Sequence, residues 1–131
     1  MPVSSANAFR SAVEARNFEV MMEQFAEKAV LHSPVTFAPF EGRGAIQQLL
    51  TILLEIFQDF RYTDELEAQD GTAALIFRAR VGDRDLQGLD LIRFDESGLI
   101  RDLTVMIRPR SAIEALLAEV GPRLAASRGA A

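Results

Sequence analysis

Four segments between residues 60 and 107 constrain the fold of this chain more than any other feature. Their apolar residues recur at every second position, as in strands that bury one face. The predicted strands are residues 60–68, 73–81, 86–95 and 99–107. Short turns separate them at Asp70-Gly71, Gly82-Asp83-Arg84 and Ser97-Gly98. Because such turns join antiparallel neighbours, the sequence predicts an antiparallel meander.

Helical patterns precede this meander. Ser4 or Ser5 is expected to cap a first helix that ends near Arg16-Asn17, and a second short helix follows from Phe18. Residues 29–33 are predicted to form a strand that Pro34 ends, with a loop up to Phe40. From Ala45 the apolar residues recur at steps of three and four, which predicts the longest helix.

One further helix is predicted after the meander. Ser111 and Glu114 have the spacing of a capping box, and Gly121-Pro122 is expected to end this helix. Helices followed by consecutive strands and a last helix indicate an α+β domain in which helices cover one face of a curved sheet. We expect one domain over residues 1–122 and a flexible tail over residues 123–131.

Composition excludes several classes of function. The 131 residues include no cysteine and one histidine, so thiolate and multi-histidine metal sites are excluded, and we expect no cofactor and no metal. The net charge is −5 and the basic residues are scattered, which disfavours nucleic acid as a partner. Apolar runs are too short for a membrane span. We therefore expect a soluble, cytoplasmic protein without nucleic-acid or membrane partners.

Asp90 interrupts an otherwise apolar strand face. In the segment GLDLIRF, alternation places it on the same face as Leu86, Ile92 and Phe94. An acid on such a face is either paired or protonated, because an isolated buried carboxylate is too costly. Two interpretations follow: an acid that points into a cavity and is neutral there, which we favour, or a structural acid that is satisfied by a backbone amide or by an arginine of a neighbouring strand such as Arg78.

Two motifs resemble the nuclear transport factor 2-like superfamily, which includes SnoaL-like polyketide cyclases and ketosteroid isomerases. Residues 89–100, LDLIRFDESGLI, resemble the DxxRFDExGxI segment of the isomerases, and residues 40–46, FEGRGAI, are similar to the start of the superfamily's third helix. This resemblance implies a cone-shaped curved antiparallel sheet with helices packed on its concave face. It also implies a conical pocket for a small apolar or amphipathic ligand.

The isomerase roles transfer only in part. Asp90 matches the acid that donates to the substrate oxyanion, whereas Ser33 stands where the isomerase has its base, and Phe9 falls near the position of its tyrosine. A serine hydroxyl does not remove a carbon-bound proton without a base of its own. The superfamily's epoxide hydrolases use two aspartates joined through an arginine. That chemistry is disfavoured because the matching position near Val105 is apolar.

Asp90 and His32 are the candidate catalytic residues. Strand alternation places only one of His32 and Ser33 inside the cavity; His32 would supply a base near neutral pH if a bulge turned it inward. Tyr62 shares a predicted face with Phe60 and Leu66, and its hydroxyl requires a partner if it is buried. The candidate ligand-binding residues are Ser33, Phe9, Phe37, Phe57, Tyr62 and Phe94.

Two classes of function remain open from the sequence. The first is an enzyme of the isomerase, cyclase or hydratase kind with Asp90 as acid. The second is a non-catalytic small-molecule-binding or accessory domain. Because Leu89 and Leu91 lie on the face opposite Asp90, that outer face is too apolar to be left in solvent, and we expect a homodimer formed through it.

Overall fold

The computed structural model of the protein describes residues 5–129. Within this range four helices and six strands form an α+β fold. In chain order they are α1 Ser5–Glu14, α2 Phe18–Glu23, β1 Phe25–His32, β2 Phe40–Glu41, α3 Arg43–Ile56, β3 Gln58–Glu67, β4 Ala73–Val81, β5 Arg84–Phe94, β6 Ile100–Arg108 and α4 Arg110–Gly129. The predicted α+β class and the predicted meander are confirmed.

The strands form one curved, unclosed sheet in the order β2-β1-β6-β5-β4-β3. Strands β3 to β6 are antiparallel neighbours, as the short turns predict. However, β1 pairs with β6 in parallel, so the sheet is mixed and not wholly antiparallel. The chain between these two strands contains β2, α3 and the strands β3 to β5, and it returns to the side of β1 so that β6 runs in the same direction as β1.

We call the side of the sheet that the helices cover its inner face, and the opposite side its outer face. Leu31, Leu75, Phe77 and Leu103 lie on the inner face and join one core cluster with residues of the four helices. Asp90 lies on the same face and is 7% exposed. The face predicted for Asp90 is therefore confirmed.

A β-bulge in β3 changes which residues face the core. Tyr62 pairs with Phe77, but the next pair is Asp64 with Ile76, so two residues of β3 oppose one of β4. Leu66 is consequently carried to the outer face, where it is 57% exposed. The prediction that Leu66 shares a face with Tyr62 is wrong, because alternation holds only within an unbroken register.

Several boundaries differ from the prediction. Strand β1 begins at Phe25, four residues before the predicted start, and part of the expected loop forms β2. Helix α4 begins one residue before Ser111, with the carbonyl of Pro109 as its first acceptor, while Glu114 pairs with Arg110, so the predicted capping box is absent. The helix continues through Pro122 to Gly129.

Two predictions about the ends of the chain stay untested. Ser4 lies outside the described residues, so its proposed capping role stays a prediction. Residues 123–129 are helical, and the flexibility expected of the tail likewise stays a prediction. Among residues 5–129, no helix combines the length and hydropathy that a membrane crossing requires.

Candidate functional site

Asp90 is the one buried charged or polar residue of the described core. It lies in the central part of β5, between Leu75 of β4 and Val105 of β6. Arg78, the alternative partner, is exposed on the outer face and pairs in register with Gln87. The sheet therefore separates the two charges, and the interpretation of Asp90 as an arginine-paired carboxylate is wrong.

Tyr62 provides the partner of Asp90. Its hydroxyl donates a hydrogen bond to Oδ2 of Asp90 over 3.4 Å, and the tyrosine is 7% exposed. The two residues lie on β3 and β5, and the phenol ring reaches across the intervening strand β4. The site thus contains a phenol, although Phe9 occupies the position that the family resemblance assigns to one.

Burial dominates the electrostatics of this pair. It raises the pKa of Asp90 from its ordinary value of 3.8 to about 7, and the hydrogen bond from Tyr62 opposes part of this rise. Burial, followed by the negative charge of Asp90, raises the pKa of Tyr62 well above its ordinary value of 10.0. Near neutral pH the site therefore holds a phenol that stays protonated and a carboxyl group that is easily protonated.

A small cavity, which we call the acid chamber, opens beside this pair. Its volume is about 60 Å³, and Asp90 and Tyr62 are the only polar side chains among the described residues that line it. Its apolar lining consists of Phe9, Val13, Met21, Leu50, Leu53, Leu54, Phe57, Phe60, Phe77, Leu103 and Val105. In these surroundings water competes little for a hydrogen bond from the acid.

Gly88 makes room for one wall of the chamber. It pairs with Phe77, and a Cβ atom at this position would overlap the ring of Phe77. The Phe77 ring instead stacks on Phe60, with 4.8 Å between ring centroids. The absence of a side chain at Gly88 therefore allows the aromatic wall beside Tyr62 to form.

Arg10 of α1 lies over the other side of Tyr62. Its guanidinium carbon lies 5.7 Å from the centroid of the Tyr62 ring, and the group forms ion pairs with Glu14 at 3.3 Å and Glu65 at 3.4 Å. Glu65 faces inward because of the bulge that turns Leu66 outward. The charged triplet therefore links α1 to β3 at the edge of the site.

Two further cavities adjoin the acid chamber. The first, which we call the mouth, has a volume of about 230 Å³ and includes the charged residues Glu14 and Arg16 in its lining. The second, which we call the arm, measures about 20 Å³ and is lined mainly by apolar residues of β1, α3, β6 and α4, together with Ser33. Phe57 borders all three cavities.

His32 is not brought into the site. Its Nε2 lies 3.2 Å from Oδ2 of Asp102 on the outer face, since β1 alternates regularly at this point and turns Leu31 inward. The expectation that His32 supplies a base inside the cavity is therefore wrong. Ser33 does lie on the inner side, but it lines the arm, and its hydroxyl accepts a hydrogen bond from the backbone N–H of Thr36 at 3.3 Å.

The predicted aromatic residues divide into two groups. Phe9, Phe57 and Tyr62 line the acid chamber. Phe37 is fully exposed in the loop between Pro34 and Pro39, which leaves the sheet, and its assignment to the pocket is wrong. Phe94 packs against the core but follows a register shift between β5 and β6 and borders none of the three cavities, so that assignment is wrong as well.

Comparison with known proteins identifies the family of this chain. Residues 6–103 match the family of SnoaL-like domains, a span that includes both Tyr62 and Asp90. The chain belongs to the SnoaL-like domain family. Its fold and this match also place it in the nuclear transport factor 2-like superfamily.

Solved structures extend this comparison. A steroid delta-isomerase from Pseudomonas aeruginosa is 36% identical, with a TM-score of 0.88 over 95% of this chain and 92% of the other. A protein of Silicibacter pomeroyi DSS-3, described as uncharacterized with a cystatin-like fold, is 27% identical, with a TM-score of 0.85 over 91% and 84% of the two chains. A nuclear transport factor 2-like protein of unknown function from Cytophaga hutchinsonii shares the fold at 17% identity, with a TM-score of 0.64 over 85% and 96%. Curated proteins provide no match in sequence.

Sequence reasoning missed several residues of this SnoaL-like domain that shape its site. Arg10 and Glu65 meet across the sheet edge only because of the bulge in β3, for which the sequence gives no clear signal. Strand alternation can predict that Phe60 and Phe77 face inward, but it cannot predict that their rings stack on each other. Within residues 5–129 there is no group of three side chains that could hold a metal ion.

Proposed function

We propose that this SnoaL-like domain binds a small apolar or amphipathic molecule through an oxygen atom that accepts a hydrogen bond from Asp90. One observation carries the proposal: a buried carboxyl group with a raised pKa and a phenol partner lies at the wall of an otherwise apolar chamber. The Tyr62 hydroxyl occupies one acceptor position of Asp90. The acidic proton of neutral Asp90 remains available to a ketone or enolate oxygen of the ligand.

This arrangement can supply the acid that stabilises negative charge on a ligand oxygen in an isomerase-, cyclase- or hydratase-type reaction. A donor held in apolar surroundings stabilises negative charge on an oxygen more strongly than water does, and it does not need to reorganise during the reaction. The 36% identity to a protein named a steroid delta-isomerase supports this class of chemistry. Asp90 acts here as the acid, and Tyr62 orients it.

A non-catalytic binding role is the second candidate. It is favoured by the lining of the acid chamber, in which Asp90 and Tyr62 are the only titratable groups among the described residues. His32 lies on the outer face and Ser33 in the arm, so neither is placed to remove a proton from a ligand held at Asp90. A domain with a donor but no base would orient its ligand without turning it over.

Binding is tested with 2-naphthol, whose fused rings suit an apolar site and whose hydroxyl oxygen resembles that of an enol. Isothermal titration calorimetry should show binding that weakens about two- to tenfold in Asp90→Leu, since a hydrogen bond between neutral groups is worth about 0.5–1.5 kcal/mol. Asp83→Asn, at the exposed hairpin tip, is the control and should bind like the wild type. Equal affinity in the Asp90→Leu protein would refute the proposal.

Proton exchange separates the two candidates. A ketone bound in deuterated water should lose its α-protons to solvent faster than in buffer if the domain is an enzyme of this class, because charge on the oxygen is then stabilised in the reaction. NMR measures this rate in the wild type and in Asp90→Leu. Binding without accelerated exchange supports the non-catalytic role.

A further inference from the structure

The three cavities of the site meet at a single side chain. The acid chamber shares some lining residues with the mouth and others with the arm, but Phe57 alone among the described residues borders all three. The mouth and the arm have no other lining residue in common. The position of this ring therefore decides how the three spaces connect.

In this site the hydrogen-bonding groups lie in one cavity, and most of the free space lies outside that cavity. The acid chamber contains the Asp90–Tyr62 pair but measures only about 60 Å³, whereas a cavity that holds benzene measures about 150 Å³. A ligand with even one six-membered ring therefore extends beyond the acid chamber into a neighbouring space. Adjacent space lies in the mouth, at about 230 Å³, and in the arm.

Phe57 is well placed to make that movement. It directly follows helix α3, its backbone is extended with φ of −67° and ψ of 131°, and its N–H caps the carbonyl of Leu53 at 2.9 Å. Its side chain is only partly buried. The ring contacts Phe60 and Phe77 at centroid distances of 5.9 and 6.2 Å, both on the side of the sheet. A side-chain rotation can thus move the ring without disturbing the backbone hydrogen bond.

We propose that Phe57 is a specificity-determining gate that sets the length of ligand reaching Asp90. With the ring placed as in the structure, the acid chamber admits small ligands that extend into the mouth. With the ring turned away, the chamber, the space that the ring vacates and the narrow arm become one channel for an elongated ketone whose alkyl chain lies against Leu116 and Val120. This inference rests on the proposed function, because it assumes a ligand oxygen at Asp90.

Calorimetry with two ketones of different length tests the gate. In Phe57→Leu, affinity for the linear ketone 2-nonanone should rise at least about tenfold, while affinity for cyclohexanone should change less than about threefold, since a hydrophobic pocket discriminates about 10–200-fold per methylene group. Phe57→Trp should reduce the affinity for 2-nonanone and leave that for cyclohexanone unchanged. The control is Phe18→Leu, another partly buried phenylalanine, which borders none of the three cavities.

Methyl NMR locates the bound ketones independently of affinity. 2-Nonanone should shift the methyl signals of Leu116, which borders only the arm, whereas cyclohexanone should shift those of Val13, which borders the chamber and the mouth. If Phe57→Leu changed both affinities equally, or if 2-nonanone left Leu116 unshifted, the gate would be refuted while the proposed function stood. If neither ketone bound to any form of the protein, both proposals would be overturned.

Discussion

The hydroxyl of Tyr62 donates to Oδ2 of Asp90 over 3.4 Å, although the two residues belong to strands that are not neighbours. The contact crosses β4, so it depends on the register of three strands at once. It also makes each residue's chemistry depend on the other, since the phenol lowers the pKa of the acid and the acid raises that of the phenol.

Asp90→Asn should stabilise the protein increasingly as pH rises. The pKa of Asp90 in the folded state, about 7, lies above its ordinary value of 3.8, so the wild type loses stability through Asp90 between about pH 4 and pH 7, and the variant's gain reaches a plateau above that range. A difference of about 3 in pKa corresponds to about 4 kcal/mol, at roughly 1.36 kcal/mol per unit, as an upper limit for the variant's gain. Thermal melting from pH 4 to 9 measures this trend.

The control for this variant is Asp83→Asn, at the exposed tip of the hairpin between β4 and β5. A similar gain in the stability of Asp83→Asn would show that the change in net charge, and not the loss of the Asp90 carboxyl group, causes the effect. Clear destabilisation of Asp90→Asn at pH 8 would mean that the folded protein favours the ionised carboxylate.

Tyr62→Phe should raise the pKa of Asp90 further above about 7. The hydrogen bond from the phenol stabilises the carboxylate, and its removal leaves desolvation unopposed. The carboxyl ¹³C signal of Asp90, assigned by its loss in Asp90→Asn, reports this titration by NMR. A pKa that falls in Tyr62→Phe would contradict the donor role of the phenol.

Gly88→Ala should destabilise the domain by about 1–3 kcal/mol, because the added methyl group overlaps the Phe77 ring. Gly121→Ala is the matched control: its Cβ meets nothing within 4 Å, and it lies in helix α4, where alanine is favoured by up to about 1 kcal/mol. Urea denaturation compares the two. The double variant Gly88→Ala/Phe77→Leu should recover part of the loss, and an additive loss would contradict the proposed overlap.

Steroid isomerisation should be absent or very weak. General-base catalysis contributes about 10²–10⁴-fold, and no described carboxylate or imidazole other than Asp90 lines the acid chamber. Formation of the conjugated product from a β,γ-unsaturated 3-ketosteroid measures the activity. The Pseudomonas aeruginosa steroid delta-isomerase provides the positive control, and turnover at a comparable rate would reveal a base outside the acid chamber.

We propose that the outer face forms a homodimer interface. Ile76, Leu89 and Met106 are cross-strand neighbours on it, Met106 is 53% exposed, and a groove of about 300 Å³ runs beside them. Light scattering at micromolar concentration should give twice the mass of the chain, and Leu89→Lys should halve it. Leu117→Lys, at a 47% exposed residue of α4, should leave the dimer intact. A monomeric wild type would exclude this interface.

The fold and about half of the site can be predicted from the sequence, because strand alternation depends only on residues that are close together in the chain. The face of Asp90 followed from its immediate neighbours, and short turns fixed the order of β3 to β6. The parallel pairing of β1 with β6 was not accessible, since it joins residues about 70 positions apart, such as His32 and Thr104.

The other half of the site depends on departures from regularity. The bulge after Tyr62 sends Leu66 outward and Glu65 inward, and nothing in the residues around Thr63 marks that position as irregular. His32 illustrates the reverse error: a bulge was needed to turn it inward, and the strand is regular there. From the sequence, Tyr62 is predicted only as a phenol whose hydroxyl requires a partner if it is buried, and not as the partner of Asp90.

Tyr62 is the only tyrosine of a chain that has no tryptophan. Apart from the weak contribution of phenylalanine, the near-ultraviolet absorption and emission of this protein therefore arise from one ring, and that ring lies against Asp90 in the candidate site. Ligand docking, deprotonation of the acid and loss of the chamber on unfolding each alter the surroundings of the same chromophore. The domain carries a built-in optical probe of its site, and neither a label nor an engineered residue is needed to observe it.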